Sequence, residues 1–148
     1  MATYRDTNKP DFRKSLEAYR QRVNALIENP TEQNAVETNI ASMNLYDSIY
    51  LLSGGNGKVS DWDINLFLQE LNIPLQVIEH QERHYRKLLE AERRRYAETP
   101  EEKKDPVMRE RVRELEITLR NFTSSLVQMR LRGKLLTRAK SKYTSDHH

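Results

Sequence analysis

The residues best equipped for chemistry are two histidines, and their spacing says what that chemistry would be. In His80-Gln81-Glu82-Arg83-His84 the imidazoles stand four residues apart, so on a helix they share one face and can approach a single zinc ion. The zinc-hydrolase pattern places its glutamate directly after the first histidine. Here Glu82 comes one position late and points away from both rings. A third protein ligand, which a zinc site needs, is not evident in the sequence. His80 and His84 are thus a bare candidate pair for a metal. The simpler reading makes them polar residues at the edge of a buried stripe, and no cofactor is expected.

Two other patterns approximate known sites and fail on particular residues. Asn56-Gly57-Lys58-Val59-Ser60 with Asp63 is like the second half of a calcium loop, but placing Gly57 at the loop's glycine puts Leu52 and Gly54 at the first ligand positions. A phosphate loop would need Ser or Thr where Val59 stands, after a strand. The segment reads as an interhelical turn, with anion capture at the following helix start as a lesser use. Glu82 and Glu92 fall on an otherwise apolar stripe, yet a di-iron site would need several inward carboxylates and Glu-x-x-His pairs, which are absent. Ion pairing to nearby Arg and Lys accounts for both.

The basic residues carry the clearest binding signal. No acid occurs between Glu116 and Asp146, while Arg130, Lys134 and Arg138 step by four along one helix ridge and Arg93-Arg94-Arg95 form a second cluster. Such ridges bind phosphate backbones through charge neutralisation. The competing reading is that of solvated faces and cations favoured at a helix C-terminus. The ridge is also interleaved with Val127, Leu131 and Leu135, which are expected to pack inward.

Composition bounds what can hold these residues in place. With 148 residues the chain suits one core-bearing domain. Hydrophobic residues are 36% and charged residues 32%, with 4 Gly and 5 Pro, a balance that fits helices with narrow apolar seams and wide solvated faces. There is no cysteine, which excludes thiolate catalysis, disulfides and cysteine zinc sites. No run is apolar enough for a signal peptide or a membrane span, so a cytoplasmic location (or a virion interior) is expected. The net charge of +3 is modest for a nucleic-acid binder.

Four helices are predicted, at 11–28, 32–52, 61–97 and 106–142. Asp11 caps the first, Asn29-Pro30 ends it, and Thr31 starts the second. The second has apolar residues on two sides, Val36, Ile40, Met43, Tyr46 and Tyr50 on one and Leu45, Ile49 and Leu52 on the other, so it should lie between neighbours. Ser60 with Asp63 caps the third. Pro74 falls inside it, but the apolar spacing continues from Leu71 to Leu75 without a slip, which favours one kinked helix over two. Thr99-Pro100 and Asp105-Pro106 are alternative starts for the last.

The last two helices carry matching seams with alternating steps of four and three. Read antiparallel, Tyr96 faces Met108, Leu89 faces Leu115 and Ile78 faces Leu126. Trp62, Leu66, Ile73 and Val77 line the back of one helix, and Val127, Leu131 and Leu135 the back of the other. These back stripes should pack on the first two helices, while the end near Thr99, with charged off-seam positions, projects. The expectation is an all-α fold, a helical bundle body with a long antiparallel coiled-coil hairpin projecting from it. The expected role is a non-enzymatic interaction or assembly protein, a homo-oligomer or a binder of a protein partner, using Leu45, Ile49, Leu52, Trp62, Leu66, Val127, Leu131 and Leu135. The second reading is a sequence-tolerant nucleic-acid binder using Arg93, Arg94, Arg95, Arg130, Lys134 and Arg138. A metal-binding helical protein comes third. No small-molecule substrate and no membrane contact are expected.

Overall fold

The computed structural model describes the backbone of residues 4–52 and 60–146 and the side chains of residues 12–49 and 60–139. It is all-helical: α1 (Tyr4–Glu28), α2 (Glu32–Leu52), α3 (Asp61–Glu98), a 3-10 turn over Glu101–Lys103, and α4 (Pro106–Asp146). No strand occurs among the described residues. The glycine segment 53–59, on which the loop readings fall, lies outside them, as do His147 and His148.

Helix ends follow their capping chemistry. Thr31 Oγ1 accepts from the Asn34 amide at 3.1 Å, and the Asn34 side chain donates back to the carbonyls of Ala25 and Asn29. One asparagine thus serves both sides of the α1–α2 turn. Ser60 Oγ accepts from the Asp63 amide at 3.2 Å while its hydroxyl donates to the Asp63 carboxylate at 2.7 Å. Asp105 Oδ1 accepts from Met108 at 2.9 Å, so the second proline-marked start is the one α4 uses, with Pro106 in its first position. One boundary departs from expectation. The first helix starts at Tyr4 and contains Asp11 rather than being capped by it. Pro10 costs it a single backbone bond, and Arg5 to Lys9 hold no glycine or further proline to stop it.

Side-chain pairs fix the directions of packing. Arg22–Glu37 and Ser15–Ser48 make α1 and α2 antiparallel. Arg93–Glu116, Tyr85 stacked on Phe122, and Arg130–Glu79 do the same for α3 and α4. Between the two pairs the direction is parallel: Tyr19 and Pro30 bond to Glu70 and Gln81 on α3, and Glu32 and Asn39 bond to Asn121 and Gln128 on α4. The result is a four-helix bundle in which α1 and α4 make no contact among the described residues.

Pro74 shows how the bundle compensates for a helix breaker. A proline has no amide to offer the carbonyl four residues back, so Glu70 C=O is left without its helical partner. The Tyr19 hydroxyl of α1 donates to that carbonyl at 2.6 Å, and Arg20 donates to the Glu70 carboxylate at 2.7 Å. Helix α3 therefore runs unbroken through Pro74, and Pro74 itself is buried. Burial, and secondarily the nearby Glu70 charge, push the Tyr19 phenol well above its ordinary value.

The core consists of Tyr19, Leu26, Leu45, Ile49, Ile64, Phe67, Leu71, Ile78, Phe122, Leu126, Met129 and Leu136, all buried. Gly133 lets α4 approach α3 closely: an added Cβ would stand 3.1 Å from Leu71 Cδ1. The buried residues of α2 include several small ones, Ala35, Thr38, Ala41 and Ser42, and Thr38 bonds across to the Arg22 carbonyl of α1 at 3.2 Å. The side of α2 carrying Ile40 and Met43 faces solvent instead of a neighbour.

Candidate interaction surface

The layer formed by α1 and α2 covers the face of α3 and α4 that holds Phe67 and Pro74, and leaves the outer faces bare. On α4 the expected inward packing of Val127, Leu131 and Leu135 does not occur. They are 56%, 51% and 37% exposed and lie four apart, a single apolar stripe on the outer side. On α3 Trp62 is 68% exposed and Ile73 is also exposed, while Leu66 is half-buried. The physical reason is geometric. The second layer of a bundle covers the face beside the hairpin seam, reached by Ile64, Phe67, Leu71, Pro74 and Ile78, and not the face opposite the seam.

Two residues expected at an outer interface are corrected by the same geometry. Leu45 and Ile49 are each 1% exposed and belong to the core, because α2 turns that side toward α1 and the hairpin. Leu52 closes α2, with its side chain outside the described residues. The exposed apolar face of α2 is the other one, Ile40 and Met43. Met43 is four residues on from Asn39, and Leu135 is three on from Arg132, so both flank the Asn39–Arg132 contact joining α2 to α4.

That contact is part of a polar seam. Asn39 donates to Gln128 at 3.0 Å, and Arg132 Nη1 donates to Asn39 Oδ1 at 2.5 Å and Ser42 Oγ at 2.9 Å. Glu32 accepts from Asn121 at 2.7 Å and from Thr118 at 3.3 Å. Burial lowers the Arg132 guanidinium below its ordinary value, partly offset by the Asp47 and Tyr46 charges. Arg132 thus serves structure and not the basic ridge. The sequence signal for the seam was available in the small and polar residues of α2 at helical spacing.

Half of the proposed basic site is neutralised internally. Arg130 pairs with Glu79 at 2.9 Å, Arg93 with Glu116 at 3.3 Å, and Arg95 with Glu92 at 3.9 Å. Arg94, Lys134 and Arg138 are exposed and have no ionic partner among the described residues. Arg130, Lys134 and Arg138 form one wall of an open groove between α3 and α4, whose floor is Leu68, Leu71, Leu75 and Gly133 and whose other wall is Asn65, Gln69 and Asn72. No acid lines it.

The histidines do not come together with other ligands. Both are exposed; His80 borders a small cleft with Pro30 and Gln76, and His84 packs edge-on against Tyr85 at 5.4 Å. Among the described residues no group of three or more His, Cys, Asp or Glu side chains is placed to hold a metal, and no helix is long and apolar enough to cross a membrane. Glu82 pairs with Arg86 at 3.4 Å and Glu92 with Arg111 at 3.1 Å, which accounts for carboxylates on the seam. No protein-family model matches the chain, and no curated protein or solved structure is significantly similar to it.

Proposed function

We propose that this is a non-enzymatic helical assembly or adaptor protein whose working surface is the outer face of α4 with the adjoining edge of α2. One observation carries the reading: Val127, Leu131 and Leu135 form an exposed stripe with Ile40 and Met43 beside it. Large apolar residues clustered on an otherwise charged surface mark binding sites, since covering them releases water at no cost in unpaired polar groups. The polar seam beneath fixes the relative position of α2 and α4, so the surface is pre-organised, and the charged rim supplies partner choice. The test is solution mass across a wide concentration range for the full chain and for V127D/L131D. Concentration-dependent association that the double variant loses, with unchanged helicity, supports the reading. A wild type that stays monomeric throughout removes self-association.

A second reading, sequence-tolerant nucleic-acid binding, is favoured by Lys134 and Arg138, which among the described residues have no ionic partner and stand on a groove that no acid lines. It requires affinity for a DNA or RNA duplex that falls steeply with salt and on removal of those two charges.

A further inference from the structure

Two surface features at opposite ends of the α3–α4 pair fit one another. The first is the groove with the Arg130, Lys134 and Arg138 wall. The second is near the turn, on α4: Val107, Glu110, Glu114 and Ile117, spaced by three, four and three and so aligned on one helix face. Val107 is 75% and Ile117 46% exposed. Glu110 and Glu114 between them are exposed and have no ion pair among the described residues. Arg113 flanks the stripe, and Arg111 on its other side is committed to Glu92 at 3.1 Å. An acidic helix face bounded by two bare apolar residues thus stands at one end, and an apolar floor beneath a basic wall at the other.

We infer that the Val107–Ile117 face of one copy docks into the Leu68–Leu75 groove of a second copy, with Glu110 and Glu114 against the Lys134 and Arg138 wall. The dimensions agree. The groove runs from Asn65 to Leu75 along α3 and the stripe from Val107 to Ile117 along α4, each about 15 Å at the helical rise. Both sets of charges repeat at four residues, so two pairs can form in one register. The contact is heterologous: each copy offers a groove and a stripe that do not face each other, so copies join head to tail and form a ring or a growing chain. The pairs sit at a solvated rim, so the association weakens with added salt.

The inference rests on the proposed assembly role and names its partner as the chain itself. The test uses two full-length charge reversals, K134E/R138E and E110K/E114K, followed by sedimentation velocity at low ionic strength. Each alone should weaken association on the order of tenfold. An equimolar mixture should associate again, because each variant supplies the half the other needs. Three outcomes overturn the pairing: both reversals associating like the wild type, a mixture no larger than its components, or loss of duplex binding by K134E/R138E with solution mass unchanged. If V127D/L131D abolishes association while both reversals leave it intact, the groove pairing falls and the α4 outer-face reading stands. A wild type monomeric at every concentration overturns the groove pairing and removes self-association, leaving the α4 outer face to a different protein partner.

Discussion

The two ends of the α3–α4 pair share one sequence pattern and are held by different forces. At the body end α3 and α4 bury Ile64, Leu71, Ile78, Phe122, Leu126, Met129 and Leu136 under a second layer of helices. Toward the turn, Leu89 is the last buried side chain of α3, and none is buried from Glu90 to Asn121. The hydrogen bonds described between the two layers stop at Gln81 on α3 and Thr118 on α4. Beyond them the helices are joined by ion pairs of Glu92 and Arg93, by Arg109 donating to Tyr96 at 3.3 Å, and by Lys104 over the Tyr96 ring at 4.7 Å. A seam repeat specifies which helix faces meet. How much area leaves water depends on what covers the pair from the side.

The largest test of that contrast is truncation of one residue at each end. Phe122→Ala removes a fully buried ring stacked on Tyr85 and should cost about 3–5 kcal/mol. Leu89→Ala, buried but outside the main core cluster, should fall near or below about 2 kcal/mol, the lower bound for buried leucines. Urea denaturation measures both, and equal losses would mean that the turn end is as tightly integrated as the body.

A middle-sized effect is expected where α1 completes α3. Tyr19→Phe orphans the Glu70 carbonyl and should cost about 1–3 kcal/mol. On a Pro74→Ala background, which restores the missing amide, the same change should cost less, so a double-mutant cycle reads the coupling directly. The pH sign follows from the raised phenol. Above about pH 10 the unfolded chain gives up this proton before the folded one does, so stability falls as pH rises. Tyr19→Phe should remove that slope, and an unchanged slope would assign it to another group.

The smallest effect belongs to the turn end. Glu92→Gln removes the charge that Arg111 and Arg95 share and should cost roughly 0.2–1 kcal/mol, fading in high salt. A larger, salt-independent loss would show that the ion pairs carry more of this end than exposed pairs usually do.

The helix count, both turns, the Ser60 cap and the antiparallel match of the last two helices were legible because prolines, capping residues and spacing act locally. The side of each helix that a second layer would cover was not. Phe67 is fully buried against Tyr46, although it lies on neither the hairpin seam nor the back stripe of Trp62 and Ile73. Apolar spacing gives the period of a stripe, while the direction from which a neighbour arrives depends on packing far away in the chain. The basic ridge was legible as charge, but the Glu79 and Glu116 partners of Arg130 and Arg93 come from the facing helix. Only the fold shows which cations remain unpaired.

The pairing order of the helices has a consequence for how the chain is made. Helices α1 and α2 fold back on each other across a turn at Asn29-Pro30, and their contacts need nothing downstream. On a ribosome this hairpin can form while α3 and α4 are still being synthesised, since domains and their subunits acquire structure from the N-terminal end. Its surface toward the second pair includes Asn39 and Ser42, which bond to α4, as well as apolar residues. A waiting hairpin of that kind exposes less grease than a purely hydrophobic one. The polar seam that later locates α2 on α4 would thus also guard the half-made protein against premature sticking.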